Sequence, residues 1–310
     1  MNFFVPASHD PCLNLAFEEI LLTKSNEEFI ILGINNTSVI SGKHQCIHRE
    51  IETMYIWENK IPVIRRITGG GTVFHDPGNL NYTFILDCET GKQINFALYT
   101  KPVIEFLNSV GIKATLQGSD ITAGGFKISG NAEHVYHNRV LHHGTILFNA
   151  SLDSLSKCLR KDASYYNTRA IPSKPSPVKN LSEITSAFSH IEQFRETMLN
   201  YIMRLYKNAS QFEPNENFEN DAKKLIKEKY GSWDWNYAYG PEYVIDKQLS
   251  NGLRLYLAVD QGIIKEIKVE GDIVLDRSIN RLIGVRHMPE DLIRLLEVVD
   301  LYPLNAFDFF

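Results

Sequence analysis

One stretch, from Arg65 to Tyr82, constrains the fold of this chain more than any other. It reads Arg-Arg-Ile-Thr-Gly-Gly-Gly-Thr-Val-Phe-His-Asp-Pro-Gly-Asn-Leu-Asn-Tyr, with a glycine triplet between two arginines and a short apolar run. Glycines leave the backbone unscreened, so a ligand can approach it and successive N–H groups can converge on an anion. The stretch therefore predicts a strand, an anion-binding loop, a second strand, a turn at 75–78 and a third strand at 80–86.

The same residues also allow a less specific interpretation. A glycine triplet is often a flexible turn, and an arginine pair is often a solvated edge. Here Arg65 and Arg66 precede the triplet and His75-Asp76 follows it, which favours a binding loop because arginines can fork onto a phosphate or a carboxylate. No Gly-Lys-Ser/Thr or Gly-x-Gly-x-x-Gly pattern is present, so neither a Walker A loop nor a dinucleotide-binding turn is expected.

Composition and charge exclude several classes of protein. The 310 residues are 44% hydrophobic and 22% charged, which suits one large core and a smaller domain. A formal net charge of −5 argues against a nucleic-acid-binding surface. No signal peptide or membrane span is expected. The cysteines are widely spaced, which predicts free thiols in a reducing cytoplasm rather than disulfides or a zinc site; they are Cys12, Cys46, Cys88 and Cys158.

Local patterns divide the chain into a large α/β part and a small strand-rich C-terminal part. The predicted helices lie at 10–21, 95–110, 152–159, 191–207, 220–229 and 289–298, and the predicted strands at 29–34, 38–43, 61–64, 80–86, 113–116, 120–122, 126–132, 139–148, 242–245, 253–259 and 263–269. A long polar loop covers 161–180. The change of composition places a domain boundary near Tyr239.

Three local expectations are specific. Residues 29–34 and 38–43 are expected to form a hairpin joined by a turn at Asn35-Asn36. Pro102 is expected to kink or split the helix at 95–110. Gly130 is expected to bend the chain at the end of the strand that begins at Phe126.

Lys127 is the second candidate functional residue. Alternation places it on the face of its strand opposite Phe126 and Ile128. A lysine on a sheet face is commonly a solvated charge. The glycines at 124–125 and at 130 favour the other interpretation, a fixed charge aimed into a ligand cleft, because they let backbone or ligand approach both ends of the strand.

The adjacent pair His142-His143 could suggest a metal site. Neighbours on a strand point to opposite faces, so both cannot bind one ion from one side. One of the two histidines is therefore expected in the core or behind the site, and metal ligation is not expected.

The two motifs together resemble the lipoate–protein ligase family, in its ligase A form. The stretch 65–82 is followed by Lys127-Ile-Ser-Gly-Asn-Ala, His143-Gly-Thr-Ile-Leu-Phe and Pro177-Val-Lys-Asn-Leu, which fit the family's later segments. The Trp-x-Trp-Asn stretch at 233–236 looks like the approach to the family's accessory domain. The resemblance implies an α/β fold: a mixed-sheet catalytic domain of the biotin and lipoate ligase type at 1–238, and a small α+β accessory domain at 239–310.

The resemblance implies a two-step, ATP-dependent reaction. The lipoate carboxylate attacks the α-phosphate of ATP, which gives lipoyl-AMP and pyrophosphate, and a lysine of an apo lipoyl domain then takes the lipoyl group and releases AMP. The implied acceptors are lipoyl domains of 2-oxoacid dehydrogenase complexes and the glycine cleavage H protein, without nucleic acid or membrane. Mg²⁺ is the implied cofactor beside ATP. The alternative is a lipoyl or octanoyl transferase that works between proteins without ATP.

The resemblance also implies roles for single residues. Lys127 is the implied catalytic residue, since a compact ammonium can bridge the carboxylate and the α-phosphate. Asp120 is implied as a Mg²⁺ ligand. Lys43 and Pro177 stand where arginine is common in the family. The implied binding set for nucleotide and acyl group is Arg66, Gly69, Gly70, Gly71, Thr72, Val73, Phe74, His75, Lys127, Gly130, Asn131 and His143.

Overall fold

Alternating strands and helices build the α/β fold that the sequence predicts. The computed structural model describes residues 1–89, 91, 94–206 and 208–310. The strands are β1 (Asn2–Phe4), β2 (Phe29–Ile34), β3 (Ser38–Ser41), β4 (Val63–Arg65), β5 (Val73–His75), β6 (Asn79–Asp87), β7 (Ala114–Gln117), β8 (Asp120–Ala123), β9 (Phe126–Tyr136), β10 (Arg139–Leu147), β11 (Tyr166–Thr168), β12 (Ser210–Gln211), β13 (Tyr243–Gln248), β14 (Arg254–Asp260) and β15 (Ile263–Glu270).

Helices of moderate length connect these strands. They are α1 (Pro11–Lys24), α2 (Ile47–Glu50), α3 (Thr53–Glu58), α4 (Phe96–Ser109), α5 (Leu152–Cys158), α6 (Ile191–Leu205), α7 (Glu216–Leu225), α8 (Ile273–Ile279) and α9 (Pro289–Leu296), with π-helical turns at Ile226–Tyr230 and Asp234–Ala238. Lys207, the last residue of the helix predicted at 191–207, lies outside the described residues. Among the described residues, no helix combines the length and the apolar character that a membrane span requires.

The largest sheet is mixed, with strand order β12-β1-β2-β6-β10-β9-β8-β7. Strand β1 runs parallel to β2 and β12, and the pairs from β2 to β7 are antiparallel. Apolar side chains of β2 alternate between two cores, with Ile30 and Leu32 packed towards α4 and α6, and Phe29 and Ile31 towards α1. Helices therefore cover both faces of this sheet, as its two apolar faces require.

The hairpin predicted from 29–34 and 38–43 is wrong. Strand β2 pairs with β1 and β6, whereas β3 belongs to a separate three-stranded sheet of order β4-β3-β5. The link at Asn35 is buried rather than a solvated turn, because its side chain is hydrogen-bonded to Asn14 and His75. The link thus carries the chain from one sheet to the other.

Two further expectations concern local structure. Helix α4 continues through Pro102, so the helix is not split there, and Asn95 caps its first turn. Strand β9 does not bend at Gly130 but runs on to Tyr136. A Cβ at residue 130 would lie 3.1 Å from Cε and Nζ of Lys127, so this glycine makes room for the lysine side chain inside a continuous strand.

The C-terminal strands form a four-stranded sheet of order β11-β13-β14-β15. Its first member, β11, comes from the segment at 161–180 that the sequence predicts as loop throughout, and it pairs antiparallel with β13. Tyr166 and Cys46 join the apolar cluster of the C-terminal sheet. The predicted boundary at 238–239 follows the second π-helical turn, and β11 reaches across it from the N-terminal side.

Candidate active site

A cavity of about 230 Å³ opens beside the glycine loop, here defined as residues 69–71. Its walls come from α1, from strands β2, β6, β10 and β9 of the large sheet, and from the glycine loop. Most predicted site residues lie on these walls: Arg66, Gly70, Gly71, Thr72, Val73, His75, Asp120, Lys127, Gly130, Asn131 and His143.

Two residues of the predicted set do not line the cavity. The side chain of Phe74 is buried in an apolar cluster with Val39 and Ile47, on the other side of the small sheet. Gly69 contributes its carbonyl oxygen to Arg66 rather than a surface to the cavity. Both residues help to build the loop and its strand without facing the open space.

The glycine loop is shaped by close packing of its backbone. Gly70 has φ of +83°, which glycine adopts without strain. A Cβ on Gly42 would lie 2.0 Å from the carbonyl oxygen of Gly70, so only glycine fits there. Among the described residues, no acceptor pairs with the N–H groups of Gly69, Gly70 and Gly71. These three donors suit an anion, as the sequence predicts.

Arg66 holds the carbonyl side of the loop. Its Nη2 donates to the carbonyl oxygens of Gly69 and Gly71 at 2.5 and 2.8 Å, and its Nη1 donates to the carbonyl oxygen of Ile40 at 3.0 Å. Burial lowers the pKa of Arg66 to about 10, so the guanidinium remains charged at neutral pH. Its hydrogen bonds thus shape the loop, although the side chain also reaches the cavity wall.

A chain of hydrogen bonds supports Arg66 from behind. Arg66 Nε donates to Thr68 Oγ1 at 2.8 Å, Thr68 Oγ1 lies 2.8 Å from His143 Nε2, and His143 Nδ1 lies 3.0 Å from Glu18 Oε2. A carboxylate only accepts, so Nδ1 of His143 donates to Glu18. Thr83 Oγ1 donates to the other oxygen of Glu18. Thr68 and His143 therefore connect Arg66 to Glu18.

Lys127 lies on the cavity wall with a quarter of its side chain exposed, at 24%. Its ammonium is 2.9 Å from Asp120 Oδ1. Its backbone N–H donates to the carbonyl of Pro177, and its carbonyl accepts from the N–H of Lys179. The lysine is thus fixed by its main chain while its charge faces the cavity, which agrees with the second of the two interpretations made from the sequence.

The segment 173–179, here called the cover, closes one edge of the cavity. Ser173 Oγ accepts from the N–H of Thr72 at 2.8 Å and from Gln45 Nε2 at 3.0 Å. A Cβ on Gly71 would lie 2.9 Å from this hydroxyl oxygen, so a glycine at 71 lets the cover approach. The cover therefore touches the glycine loop at one end and Lys127 at the other.

Arg65 does not face a ligand, and this part of the sequence interpretation is wrong. Its side chain is fully buried, and it donates to the carbonyl oxygens of Gly42, Lys43, Gln45, Trp235 and Asn236 at 2.8 to 3.2 Å. The indole N–H of Trp235 donates to the carbonyl of Arg65 in return. Arg65 thus joins β4 to the segment that precedes the C-terminal sheet.

The two adjacent histidines point to opposite faces of β10, as predicted. His143 lines the cavity, whereas His142 is fully buried with its Nδ1 2.9 Å from Glu133 Oε1. Burial lowers the pKa of His142, so its ring is neutral at neutral pH.

The sequence interpretation missed several cavity residues. Asn14 and Glu18 interrupt the apolar stripe of α1 one helical turn apart, a signal for a polar site facing that helix. Asn35, Asn81 and Ser173 lie on a link, a strand and a long loop, where no local pattern distinguishes them.

The acidic side chains on the cavity wall decide whether the site could hold a magnesium ion. Within the described part of the chain, no group of three His, Cys, Asp or Glu side chains is arranged to hold a metal. Of the described residues on the wall, Asp120 and Glu18 are acidic, and Glu18 is engaged by His143 and Thr83. Magnesium at phosphates often takes a single protein carboxylate and completes its shell with phosphate and water. Asp120 fits an ion held in that way.

Comparison with known proteins identifies the family of the chain. Residues 10–203 match the family model described as lipoyl protein ligase A/B catalytic domain. The chain is 35% identical over 304 residues to lipoate–protein ligase 1 of Staphylococcus aureus. The matched region covers 94% of this chain and 92% of that protein. It superposes on the crystal structure of P. falciparum LipL1 in complex with lipoate with a TM-score of 0.64 and 27% identity, over 99% of this chain and 97% of that chain.

A second solved structure shows the same fold. It is a crystal structure of lipoate–protein ligase A bound with ATP, with a TM-score of 0.63 and 23% identity over 76% of this chain and 99% of that chain. The fold and the relatives define an enzyme of the ligase class. The chain belongs to the lipoate–protein ligase family, as the two sequence motifs indicate.

Proposed function

We propose that this chain attaches lipoate to protein in two steps that consume ATP. In the first step a lipoate carboxylate oxygen attacks the α-phosphorus of ATP, the bond from that phosphorus to the β-bridging oxygen breaks, and pyrophosphate leaves. In the second step a lysine amine of the acceptor attacks the acyl carbon, loses a proton, and releases AMP. The family of the chain, and the lipoate and ATP bound in related crystal structures, support this proposal.

One observation carries the proposal: an ammonium and backbone N–H groups without a partner among the described residues lie at the same cavity. Lys127 contributes the ammonium, and Gly70 and Gly71, which line the cavity, contribute the N–H groups. The first step brings a carboxylate against a triphosphate, so its barrier falls where fixed positive groups meet the accumulating negative charge. Lys127 would contact both anions, and the glycine loop would bind phosphate oxygens.

Two other side chains complete this assignment. Mg²⁺ would neutralise charge on the phosphates, with Asp120 as its protein ligand. Arg66 would act through the loop, because its donors are engaged with Thr68 and with the carbonyl oxygens of Ile40, Gly69 and Gly71. Catalysis is then mostly positioning and electrostatics, and no covalent enzyme intermediate is needed.

The proposed acceptors are lipoyl domains of 2-oxoacid dehydrogenase complexes and the glycine cleavage H protein. Incubating the chain with lipoate, Mg-ATP and an apo lipoyl domain should raise the acceptor's mass by one lipoyl group and release pyrophosphate. An acceptor with its target lysine changed to arginine is the matched control. If neither signal appears with an apo lipoyl domain or with the apo glycine cleavage H protein, the ATP-dependent function is wrong.

A transferase that moves acyl groups between proteins is the competing function. If it uses a cysteine nucleophile, it needs a thiolate in the cavity, but none of the four cysteines lines it in the described structure. Burial raises the pKa of Cys12 and of Cys46 to about 12, and that of Cys158 to about 11. Lipoyl transfer from a lipoylated donor without nucleotide would support this alternative.

A further inference from the structure

The amide group of Asn131 is engaged on both sides by other parts of the protein. Its nitrogen donates to the carbonyl oxygen of Ser119 at 2.8 Å and lies 3.3 Å from Ser129 Oγ, and its oxygen accepts from the hydroxyl of Tyr82. A backbone carbonyl only accepts, so the nitrogen faces Ser119 and the oxygen faces Tyr82. The Asn131 side chain therefore links β6 to the residue that precedes Asp120.

Tyr82 reaches Asn131 across an intervening strand. Tyr82 on β6 and Asn131 on β9 are both register partners of Gly144, which lies on β10 between them. A Cβ on Gly144 would lie 2.5 Å from the Tyr82 hydroxyl oxygen, which is too close for a carbon and an oxygen, so a glycine lets the tyrosine pass over β10. Burial raises the pKa of Tyr82, so its hydroxyl keeps the proton that it donates.

Tyr82 lies on the face of the large sheet opposite to the cavity. Its ring belongs to the apolar cluster under α4 and α6, whereas its neighbours in β6, Asn81 and Thr83, line the cavity. Successive side chains of a strand point to opposite faces, which accounts for this division. Tyr82 therefore reaches the cavity residues only from behind, through Asn131.

The bond from Asn131 holds the turn that carries Asp120. Gly118 and Ser119 form the two-residue turn between β7 and β8, and Asp120 is the first residue of β8. Strand β7 is the last strand in the order of the large sheet, so this turn lies at the edge of the sheet. Segments with few packed neighbours open easily. Asn131 supplies a tie from the interior of the sheet to the carbonyl directly before Asp120.

A register shift in β9 brings Lys127 to the same place. Asp120 pairs with Gly130, but Thr122 pairs with Lys127, so β9 has one residue more than β8 between these two pairs. Bulges of this kind re-aim a side chain. Here Nζ of Lys127 lies 3.1 Å from the position of a Cβ on residue 130 and 2.9 Å from Asp120 Oδ1. The position of Asp120 thus bears directly on the position of the ammonium.

We infer that Tyr82 and Asn131 are positioning residues, which hold Asp120 in place from the opposite face of the sheet. The inference rests on the proposed function, in which Asp120 is the protein ligand of Mg²⁺ and Lys127 contacts the reacting anions. In this role neither Tyr82 nor Asn131 touches a substrate with its polar atoms. Their effect passes through the carbonyl of Ser119, and without that bond Asp120 moves with its turn.

The test measures metal binding by the full chain without turnover. The probe is Mn²⁺ together with α,β-methylene-ATP, in which a methylene group replaces the oxygen that leaves with pyrophosphate, so the nucleotide binds and does not react. Mn²⁺ binding is titrated by electron paramagnetic resonance. Tyr82→Phe removes only the hydroxyl and should weaken Mn²⁺ binding about fivefold, the effect of one lost hydrogen bond. The Mg²⁺ concentration for half-maximal pyrophosphate release should rise by the same factor.

Two further variants separate positioning from packing. Tyr243→Phe is the matched control, because Tyr243 is a buried tyrosine of the C-terminal sheet whose hydroxyl lies 2.6 Å from His287 Nδ1. It should lose stability as Tyr82→Phe does and leave Mn²⁺ binding unchanged. Asn131→Ala should weaken Mn²⁺ binding at least as much as Tyr82→Phe. Combining Tyr82→Phe with Asn131→Ala should add nothing further, because Tyr82 acts through Asn131.

The outcomes separate the inference from the function beneath it. An unchanged affinity for Mn²⁺ in a folded Tyr82→Phe protein would overturn the inference, as would effects of the two substitutions that simply add. If Asn131→Ala does not fold, the comparison of Tyr82→Phe with Tyr243→Phe decides alone. Absence of pyrophosphate release by the wild type would instead remove the proposed function, and the Mn²⁺ titration would still test whether Tyr82 positions Asp120.

Discussion

Two cations in this protein occupy opposite kinds of surroundings. Arg65 is fully buried in the seam between β4 and residues 235–236, and its guanidinium donates only to backbone carbonyl oxygens. Lys127 is 24% exposed on the cavity wall, with Asp120 as its charged partner. Both residues looked like candidate anion-binding groups in the sequence. Only the second keeps its charge available.

The difference lies in where the hydrogen-bond donors are satisfied. The carbonyls around Arg65 come from the protein's own backbone, so its charge stabilises the fold and is hidden from any ligand. The ammonium of Lys127 has three donors, and Asp120 takes one direction. A cation with spare donors at a cavity is available for chemistry, whereas a cation surrounded by carbonyl oxygens is part of the scaffold. Single substitutions can separate these two roles.

The largest effect is expected at Lys127. Lys127→Ala should reduce the rate of pyrophosphate release by about a hundredfold to a thousandfold, the usual loss for one electrostatic donor at a reacting centre. The free energy of unfolding in urea should change by less than about 1 kcal/mol, because the pair with Asp120 is partly exposed. Lys101→Ala, on the exposed side of α4, is the control that should leave both quantities unchanged. A normal rate in Lys127→Ala would refute the role of this lysine.

The second effect should appear in stability. Arg65→Met removes the guanidinium donors from five backbone carbonyl oxygens, and we expect the free energy of unfolding to fall by about 3 kcal/mol. Arg254→Met removes an exposed ion pair with Asp246 and should change the free energy of unfolding little. Equal losses in the two variants, measured by urea denaturation, would show that the seam does not depend on Arg65.

A substitution at Thr68 tests whether activity depends on the hydrogen bonds that connect Arg66 to His143. Thr68→Val removes the hydroxyl that joins Arg66 to His143, and Thr68 is fully buried and does not line the cavity. We expect kcat for pyrophosphate release to fall about thirtyfold with little change in the KM for lipoate. This is less than the loss of about a hundredfold or more for removing a donor at a reacting centre, because the donors here are displaced rather than removed. Thr68→Ser keeps the hydroxyl and should rescue the rate. A Thr68→Ser variant as slow as Thr68→Val would show that the hydroxyl linking Arg66 to His143 is not needed for the rate.

The smallest effect is expected at Lys247, a cation whose surroundings are intermediate between those of Arg65 and Lys127. Burial lowers the pKa of Lys247 from 10.5 to about 8, beside a hydrogen bond from its Nζ to the carbonyl of Phe310. Between these two pH values the unfolded chain binds more protons than the folded chain, so this residue makes stability rise with pH across that window. The difference in unfolding free energy between wild type and Lys247→Met should therefore increase from pH 8 to pH 10.5. A flat difference would mean that Lys247 is not desolvated.

Local signals in the sequence predicted some elements well. Asp10 before Pro11 marks the start of α1, where the aspartate accepts from the N–H groups of Cys12 and Leu13. The continuous apolar run of β2 was also predicted with its observed bounds, because it is buried on both faces. These predictions succeeded since the information lies within a few residues of each element.

Partners that are distant in sequence account for the failures. Strand β3 pairs with β4 and β5 rather than with its neighbour β2, and β11 finds its partner in β13. Gly130 is a different kind of failure, because Lys127 is only three residues away. The sequence does not show that the lysine side chain occupies the space where a Cβ at residue 130 would lie. The glycine loop could be placed from sequence, but the engagement of Arg65 by residues 235–236 could not.

The cover has a mechanical consequence for Lys127. Its residues 177 and 179 bond both main-chain polar groups of that lysine, at 2.9 and 3.1 Å, while Ser173 is tied to Thr72. Displacing residues 177–179 would break those hydrogen bonds and loosen the strand edge that carries the ammonium. Movement of the cover and the position of the Lys127 charge are therefore linked through the polypeptide backbone.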